Sequence, residues 1–203
     1  MKIIFGVEVK NDTTGYNMGA IMLITGGCTV SATFLAMNLV FLLRDPQYFG
    51  YEDADQVTEI TSNITMYSLI LSMIFSVFFG QIYDIMGRKL LILCFFLVTA
   101  VGIAVIPFLS PSLFALTLAN MILQLVYRVL ISNPLIPDYV KKTSYGKGVL
   151  CHYVGAAVGE LLFIGVILRL TASWDLKYSF LCVSMLILTI TVTLAFLIRE
   201  VKP

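Results

Sequence analysis

The pattern of apolar and polar positions divides the chain into six long apolar segments separated by short polar ones. Crossing the ~30 Å hydrocarbon core of a bilayer takes about 20 helical residues, and each segment is long enough. Because lipid cannot hydrogen-bond an open backbone, these segments are predicted to be helices. The predicted spans are residues 18–43, 64–86, 90–108, 112–132, 149–170 and 177–198.

Composition supports a membrane protein and excludes a soluble globular domain. Hydrophobic residues make up 59% of the 203 residues and charged residues only 12%, whereas average soluble domains contain about 25% charged residues. The formal net charge of +1 does not suggest a nucleic-acid partner. We therefore expect an all-α, multi-pass bundle over residues 18–198, surrounded by lipid in the plasma membrane or an organelle membrane.

The distribution of Lys and Arg predicts the orientation of this bundle. If both termini lie on one face, that face receives Lys2, Lys10, Arg88, Lys89, Lys141, Lys142, Lys147, Arg199 and Lys202, and the other receives Arg44, Arg169 and Lys177. The positive-inside rule then places both termini in the cytoplasm. Residues 1–17 become a cytoplasmic N-terminal segment, and residues 199–203 a cytoplasmic tail or the start of a linker.

The break between the second and third spans has an unusual sequence, Gly80-Gln-Ile-Tyr-Asp84-Ile-Met-Gly87-Arg88-Lys89. Asp84 and Arg88 are four residues apart, within reach of each other. Gly80 would let a neighbouring helix approach closely, and Gly87 can adopt the left-handed conformation that ends a helix. We interpret the acid and the bases as a latch that one conformation forms and another breaks. The alternative is a charge cluster that only sets orientation.

The pattern G-x-x-x-D-x-x-G-R-K resembles the signature loop of the major facilitator superfamily of secondary transporters, which joins the second and third helices. The resemblance implies the N-terminal six-helix half of that fold, with Asp84 and Arg88 in a conformation-sensitive network at the cytoplasmic face. The stretch 128–148 also looks like the fourth helix and following loop of the family. By this analogy Asp138 is expected to pair with Arg88.

Two features depart from the family pattern. The family fold has two six-helix halves with substrate between them, and this chain corresponds to one half. A second six-helix unit is therefore an expected partner: a C-terminal half, another copy or a different chain. The fifth segment reads Gly155-Ala-Ala-Val-Gly159-Glu160, whereas the antiporter branch has Gly-Pro here. This difference argues against a proton–drug antiporter.

Polar residues concentrate in three of the spans. In the fourth, Thr117, Asn120, Gln124 and Arg128 recur at spacings of three and four, which predicts one polar stripe on an apolar helix. The first span has Thr25, Thr29 and Thr33 four residues apart, and the fifth has Glu160. The resemblance implies that the first and fourth helices line the central cavity.

The depth of these residues suggests roles. At about 1.5 Å per residue, Glu160 lies roughly 16 Å from the inner face, Asn120 ~18 Å and Gln124 ~12 Å, with Thr29 near the same level and Arg128 only ~6 Å in. Ionisable residues at mid-membrane are costly and tend to mark ion or substrate paths. We predict that Glu160 carries a proton, while Thr29, Asn120, Gln124 and Arg128 bind an anionic solute. The alternative is that Glu160 and Arg128 neutralise each other in a structural network.

Small residues in the fifth span predict a close helix contact. Gly155 and Gly159 are four residues apart on one face, a spacing suited to tight packing in membranes. That face would pack either within this bundle or against a second half. His152 lies near the inner boundary and is interpreted as an interfacial hydrogen-bonding residue rather than a proton relay.

Three functions are compatible with these observations to different degrees. The leading prediction is a secondary transporter, or half of one, moving a small solute by alternating access with proton coupling. The second is a transport-inactive, transporter-derived subunit of a larger membrane complex. A membrane enzyme is disfavoured, since the single His has no nucleophile constellation around it. There is no Walker motif and no G-x-G-x-x-G, so we expect no cofactor, no metal and energy from a gradient.

Overall fold

The computed structural model describes residues 2–4, 6–10, 13–132, 135–171 and 173–199, without the side chains of residues 2, 76 and 84. The described chain consists of long helices and one small hairpin. The strands are β1 (Lys2–Ile4) and β2 (Val7–Val9), and the helices are α1 (Gly15–Arg44), α2 (Ala54–Met86), α3 (Arg88–Val105), α4 (Leu113–Ile131), α5 (Ile136–Tyr139), α6 (Tyr145–Leu162), α7 (Leu168–Thr171) and α8 (Leu176–Leu197). A π-helical segment, Phe163–Ile167, joins α6 to α7.

The long helices are those that the apolar pattern predicts. Within the described residues, five helical segments are long and apolar enough to cross a membrane: α1, α3, α4, α6 with α7, and α8. In α2, the parts Ala54–Phe75 and Val77–Tyr83 are bent by 56°, and together they could form a sixth span. This architecture fits an integral membrane protein of the multi-pass type.

Side-chain caps explain where several helices begin. The α2 helix starts at Ala54, ahead of the apolar segment at residue 64, because the Asp53 carboxylate accepts the Asp55 N–H at 3.0 Å. Ser112 caps α4 and Asp175 caps α8 in the same way. These oxygens satisfy N–H groups that lack partners within the helix. The polar residues after Asp53 therefore extend a helix rather than a loop.

Helix α1 is the central element of the packing. It packs most extensively against α6 and also contacts α8 and α4, while α3 pairs with α8 and α2 pairs with α4. The Phe34 ring of α1 meets Phe180 of α8 edge-on at a centroid distance of 4.9 Å and Phe163 at 6.4 Å. Most of the buried apolar side chains among the described residues form one continuous core around α1.

Glycines bring α1 and α6 together at backbone distance. A Cβ at Gly155 would lie 2.4 Å from the carbonyl oxygen of Met22, and a Cβ at Gly159 only 2.5 Å from that of Gly26. Real Cβ atoms cannot approach backbone so closely, so the contact requires glycine at both positions. Of the two alternatives for this small-residue face, packing within the bundle is the one present.

Tyr48, in the loop after α1, joins neighbouring helix ends. Its hydroxyl donates to Asp175 at 3.2 Å, and its carbonyl accepts the Ser110 hydroxyl. The Lys177 ammonium lies 5.6 Å from the centre of its ring. Burial, followed by the hydrogen bond to Asp175, raises the pKa of Tyr48 to about 12. In its neutral form, Tyr48 thus connects the loops after α1, before α4 and before α8.

Substitution of the contact glycines should destabilise the bundle. We expect Gly155→Ala and Gly159→Ala each to cost about 1–3 kcal/mol or more through overpacking, despite the better helix propensity of Ala. Gly165→Ala is the matched control, since nothing lies within 4 Å of its Cβ position. Thermal unfolding in detergent measures the effect. Equal midpoints for Gly159→Ala and Gly165→Ala would contradict the close contact.

The Tyr48 linkage should weaken at high pH. Tyrosine ionises near pH 10 in an unfolded chain, and Tyr48 in the fold at about 12. The folded state holds the proton more tightly, so this stabilisation is complete below about pH 10 and is lost between about pH 10 and 12. We expect thermal stability to fall less over this range in Tyr48→Phe than in wild type. Tyr178→Phe, which removes an exposed hydroxyl, should behave as wild type.

Candidate functional site

The turn between α2 and α3 is built on one glycine. Gly87 ends α2 and begins α3: its N–H donates to the Tyr83 carbonyl at 3.2 Å, and its own carbonyl accepts the Leu91 N–H at 3.2 Å. Its φ of 83° is positive, as expected, but its ψ of 137° lies outside the left-handed helical region. Residues with a Cβ rarely adopt such angles, so glycine is needed here although the conformation differs from the predicted one.

Arg88 contacts the loop on the far side of α4. Its guanidinium Nη1 lies 2.5 Å from the Asp138 carboxylate in α5, and both side chains are partly exposed. This is the pairing that the family resemblance implies, between residues 50 positions apart. The pair joins the α2–α3 turn to the segment between α4 and α6. Its role as a conformational switch stays a prediction.

The other predicted switch residues are placed as follows. The Asp84 side chain lies outside the described part of the structure, so its expected pairing with Arg88 remains a prediction. No atom lies within 4 Å of a Cβ placed at Gly80, so no described helix makes the predicted close approach there. Lys89 is half-buried and lines a cavity with Arg199.

The N-terminal hairpin holds the segment that contains Asp138. The Lys10 N–H donates to the Tyr139 carbonyl at 3.0 Å, and the Lys141 N–H donates to the Glu8 carbonyl at 3.0 Å. Val9 pairs with Val140 across this bridge, and both side chains are fully buried. The sequence predicts a plain cytoplasmic segment for residues 1–17 and gives no prediction of this hairpin.

Tyr139 is also tied to both termini of the described chain. Its carbonyl accepts the Thr13 hydroxyl at 3.1 Å, and its own hydroxyl donates to the Arg199 carbonyl at 2.8 Å. The hairpin and the end of α8 therefore meet at the same end of the bundle. Asp138, next to Tyr139, is positioned by all of these contacts.

The polar stripe of α4 does not face a single cavity. Asn120 is buried, and its amide nitrogen has no hydrogen-bond partner among the described residues. Gln124 is half-buried, whereas Arg128 is exposed and lines a cavity of about 250 Å³ between α2 and α4, with Ser72 and Ser132. The structure thus separates Asn120 from Arg128 by burial.

Glu160 lies on the face of α6 that turns away from α1. It is exposed, although the neighbouring Gly159 is buried against α1. Glu160 and Arg128 are both described, and no ion pair joins them. The direct neutralising pair considered as an alternative is therefore absent in this conformation.

The threonines of α1 are involved in helix contacts. The Thr25 hydroxyl shares a hydrogen bond of 2.9 Å with Nδ1 of His152 in α6, and Thr29 donates to the Thr25 carbonyl at 2.9 Å. Thr29 is half-buried, with its hydroxyl proton used within its own helix. The sequence predicts that His152 forms hydrogen bonds but does not identify Thr25 as its partner.

Two further buried hydroxyls were not singled out from the sequence. The side-chain oxygens of Thr99 in α3 and Tyr127 in α4 are buried without a hydrogen-bond partner in the described ranges. Buried polar groups are usually paired, so these two hydroxyls and Asn120 form an unusual set. A tyrosine on an apolar helix gives no sequence signal for such a position.

Comparison with known proteins leaves the chain unassigned. No family model matches it, and no curated protein or solved structure matches it.

Detaching the hairpin should loosen the Asp138 segment. We expect Val9→Asp to increase amide hydrogen exchange over residues 135–144, because a buried Val contributes about 1.5–3 kcal/mol and a buried carboxylate carries a further cost. Ile3→Asp is the matched control, because Ile3 is 58% exposed on the same hairpin. Equal protection in the two variants would show that the hairpin does not hold this segment.

Proposed function

We propose that the protein is one six-helix half of a secondary transporter of the major facilitator type. The observation that carries the proposal is the contact between Arg88 and Asp138. A charged residue of the signature-like turn reaches the loop after the fourth span, where the family resemblance predicts its partner. The turn itself is closed by Gly87 at a positive φ.

The pairing of the helices supports this fold. The six long helices in chain order are α1, α2, α3, α4, α6 and α8. If the first three of them are exchanged in order with the last three, the α1–α6 pair becomes the α4–α2 pair. The α3–α8 pair then maps onto itself. Successive spans run in opposite directions, so the exchange relates two inverted three-helix repeats. Inverted repeats are typical of secondary transporters.

The positions of the chain ends support six spans. The N-terminal hairpin and Arg199 both contact Tyr139, so they lie at one end of the bundle. A chain that starts and finishes on one side crosses the membrane an even number of times. The bent α2 then counts as one span, and the distribution of Lys and Arg places this end in the cytoplasm.

Uncovered charged residues support a second unit. Glu160 and Arg128 are exposed on helices that are long and apolar enough to cross a membrane. Charges within membrane spans usually face a bundle interior or an aqueous path rather than lipid. A second six-helix unit would cover these faces. It could be the rest of a longer chain, another copy of this chain or a different protein.

In the proposed mechanism the two units rock about a central path. Arg128 lies at the groove between α2 and α4 and meets the anionic group of a solute first. Gln124 is next along the stripe. Asn120 is buried in this conformation and Thr29 donates within α1, so their contact with solute stays a prediction. Glu160 gains and loses the coupled proton on the uncovered face of α6.

One observation favours a second candidate function. The segment that holds Asp138 is tied by main-chain hydrogen bonds to the hairpin and by Tyr139 to the end of α8. A transport-inactive subunit of a larger membrane complex would benefit from such fixed ends. In that function the Arg88–Asp138 pair would be a permanent brace.

Transport measurements on the assembly as purified from its membrane test the proposal. The assembly is reconstituted into vesicles containing a pH-sensitive dye, and succinate and citrate serve as anionic probes. We expect at least one probe to drive proton movement in wild type, and Arg128→Gln to weaken its uptake by about tenfold or more, roughly 1.4 kcal/mol. If none of the probes drives proton movement, the result would favour the structural subunit.

The proton role of Glu160 has its own test. We expect Glu160→Gln to abolish the pH dependence of uptake, because the neutral amide cannot titrate. Glu52→Gln, at an exposed position before α2, is the matched control and should keep the wild-type pH profile. Uptake by Glu160→Gln with an unchanged pH profile would contradict the role.

A further inference from the structure

A cavity of about 580 Å³ lies at the inner end of the bundle, away from the groove beside Arg128. The first turn of α1, the first turn of α3 and the last residues of α8 surround it. The Asn17 amide donates to the Leu197 carbonyl at 2.9 Å and holds α1 against α8 at this point. The cavity is thus formed where three predicted spans meet the cytoplasmic interface.

The charged residues that line the cavity are cationic. Lys89 and Arg199 both line it, and its described lining contains no acidic residue. The hydrogen bond from the Tyr139 hydroxyl to the Arg199 carbonyl fixes the backbone that carries the guanidinium. Neither α1 nor α3 has an acidic residue in its first turn. The local charge therefore favours an anion.

Two aromatic side chains of the lining face outward. Phe196 is 85% exposed and Tyr16 is 75% exposed, and both border the cavity. Tyrosine side chains are enriched at the level of lipid headgroups. An occupant would therefore contact two cations at one end and large apolar surfaces at the other.

We propose that this cavity binds the phosphate-bearing headgroup of an anionic phospholipid from the cytoplasmic leaflet. Lys89 and Arg199 contact the phosphate, while Tyr16 and Phe196 lie beside the upper parts of the acyl chains. Basic pockets between membrane helices on the cytoplasmic side suit such headgroups. The apolar border favours a lipid over a free anion. The site requires membrane insertion but not transport.

Lipid retention measured by native mass spectrometry tests the site. Protein in detergent is titrated separately with phosphatidylglycerol and with zwitterionic phosphatidylcholine. We expect wild type to retain phosphatidylglycerol preferentially, and Lys89→Gln/Arg199→Gln to retain it at least tenfold less. Lys142→Gln/Lys177→Gln is the matched control, because it removes the same charge at two exposed positions outside the cavity lining.

Further variants test whether a loss of lipid binding comes from misfolding, and added inorganic phosphate tests whether the bound anion is a lipid headgroup or a free ion. The charge-conserving Lys89→Arg/Arg199→Lys variant should retain the lipid, and the two single Gln variants should give intermediate losses. Equal retention of phosphatidylglycerol in wild type and in the single variants would overturn the proposal. Equal binding of phosphatidylcholine by wild type would also overturn it, as would displacement of the lipid by millimolar inorganic phosphate.

Discussion

The backbone contact between α1 and α6 is the constraint on which the other features depend. In lipid, apolar side chains gain little by leaving their surroundings, so helices associate through close packing and hydrogen bonds. Gly155 and Gly159 provide the packing, and the Thr25–His152 hydrogen bond lies between the same two helices. The contact also fixes the rotation of α6. Because successive helical residues are about 100° apart, Glu160 has to turn away from α1 when Gly159 faces it.

Features with a local cause could be predicted from the sequence. Apolar segments of sufficient length indicate spanning helices, and two glycines four residues apart indicate a face for close packing. The need for glycine at position 87 follows from the sharp turn between two helices. Its ψ of 137° could not be predicted from that turn. The Arg88–Asp138 contact has no local cause, since 50 positions separate the two residues. It was expected only because the motif resembles a known family.

Features that depend on neighbouring elements could not be predicted. Two strands of three residues have no recognisable pattern on their own, and the hairpin gains its stability by burying Val9 against Val140. The spacing of Asn120 and Arg128 places them on one polar stripe. Whether each is buried depends on which helices cover that stripe, and this packing leaves Asn120 inside and Arg128 exposed. Pairing of Thr25 with His152 likewise follows from the helix contact.

The ends of the bundle constrain how the proposed transporter could move. At the end of the bundle that holds both chain termini, main-chain hydrogen bonds join the hairpin to the Asp138 segment, and the Tyr139 hydroxyl joins that segment to the end of α8. At the opposite end, Tyr48 joins the loops after α1, before α4 and before α8. Separating helices within this half would break contacts at both ends as well as the glycine packing. Rocking of the whole half against a partner would break none of them, and rigid-body motion of this kind is the usual basis of alternating access. Both partners of the Arg88–Asp138 pair lie within this half, so the pair opens only if the α2–α3 turn moves relative to α5, and its role as a switch stays a prediction.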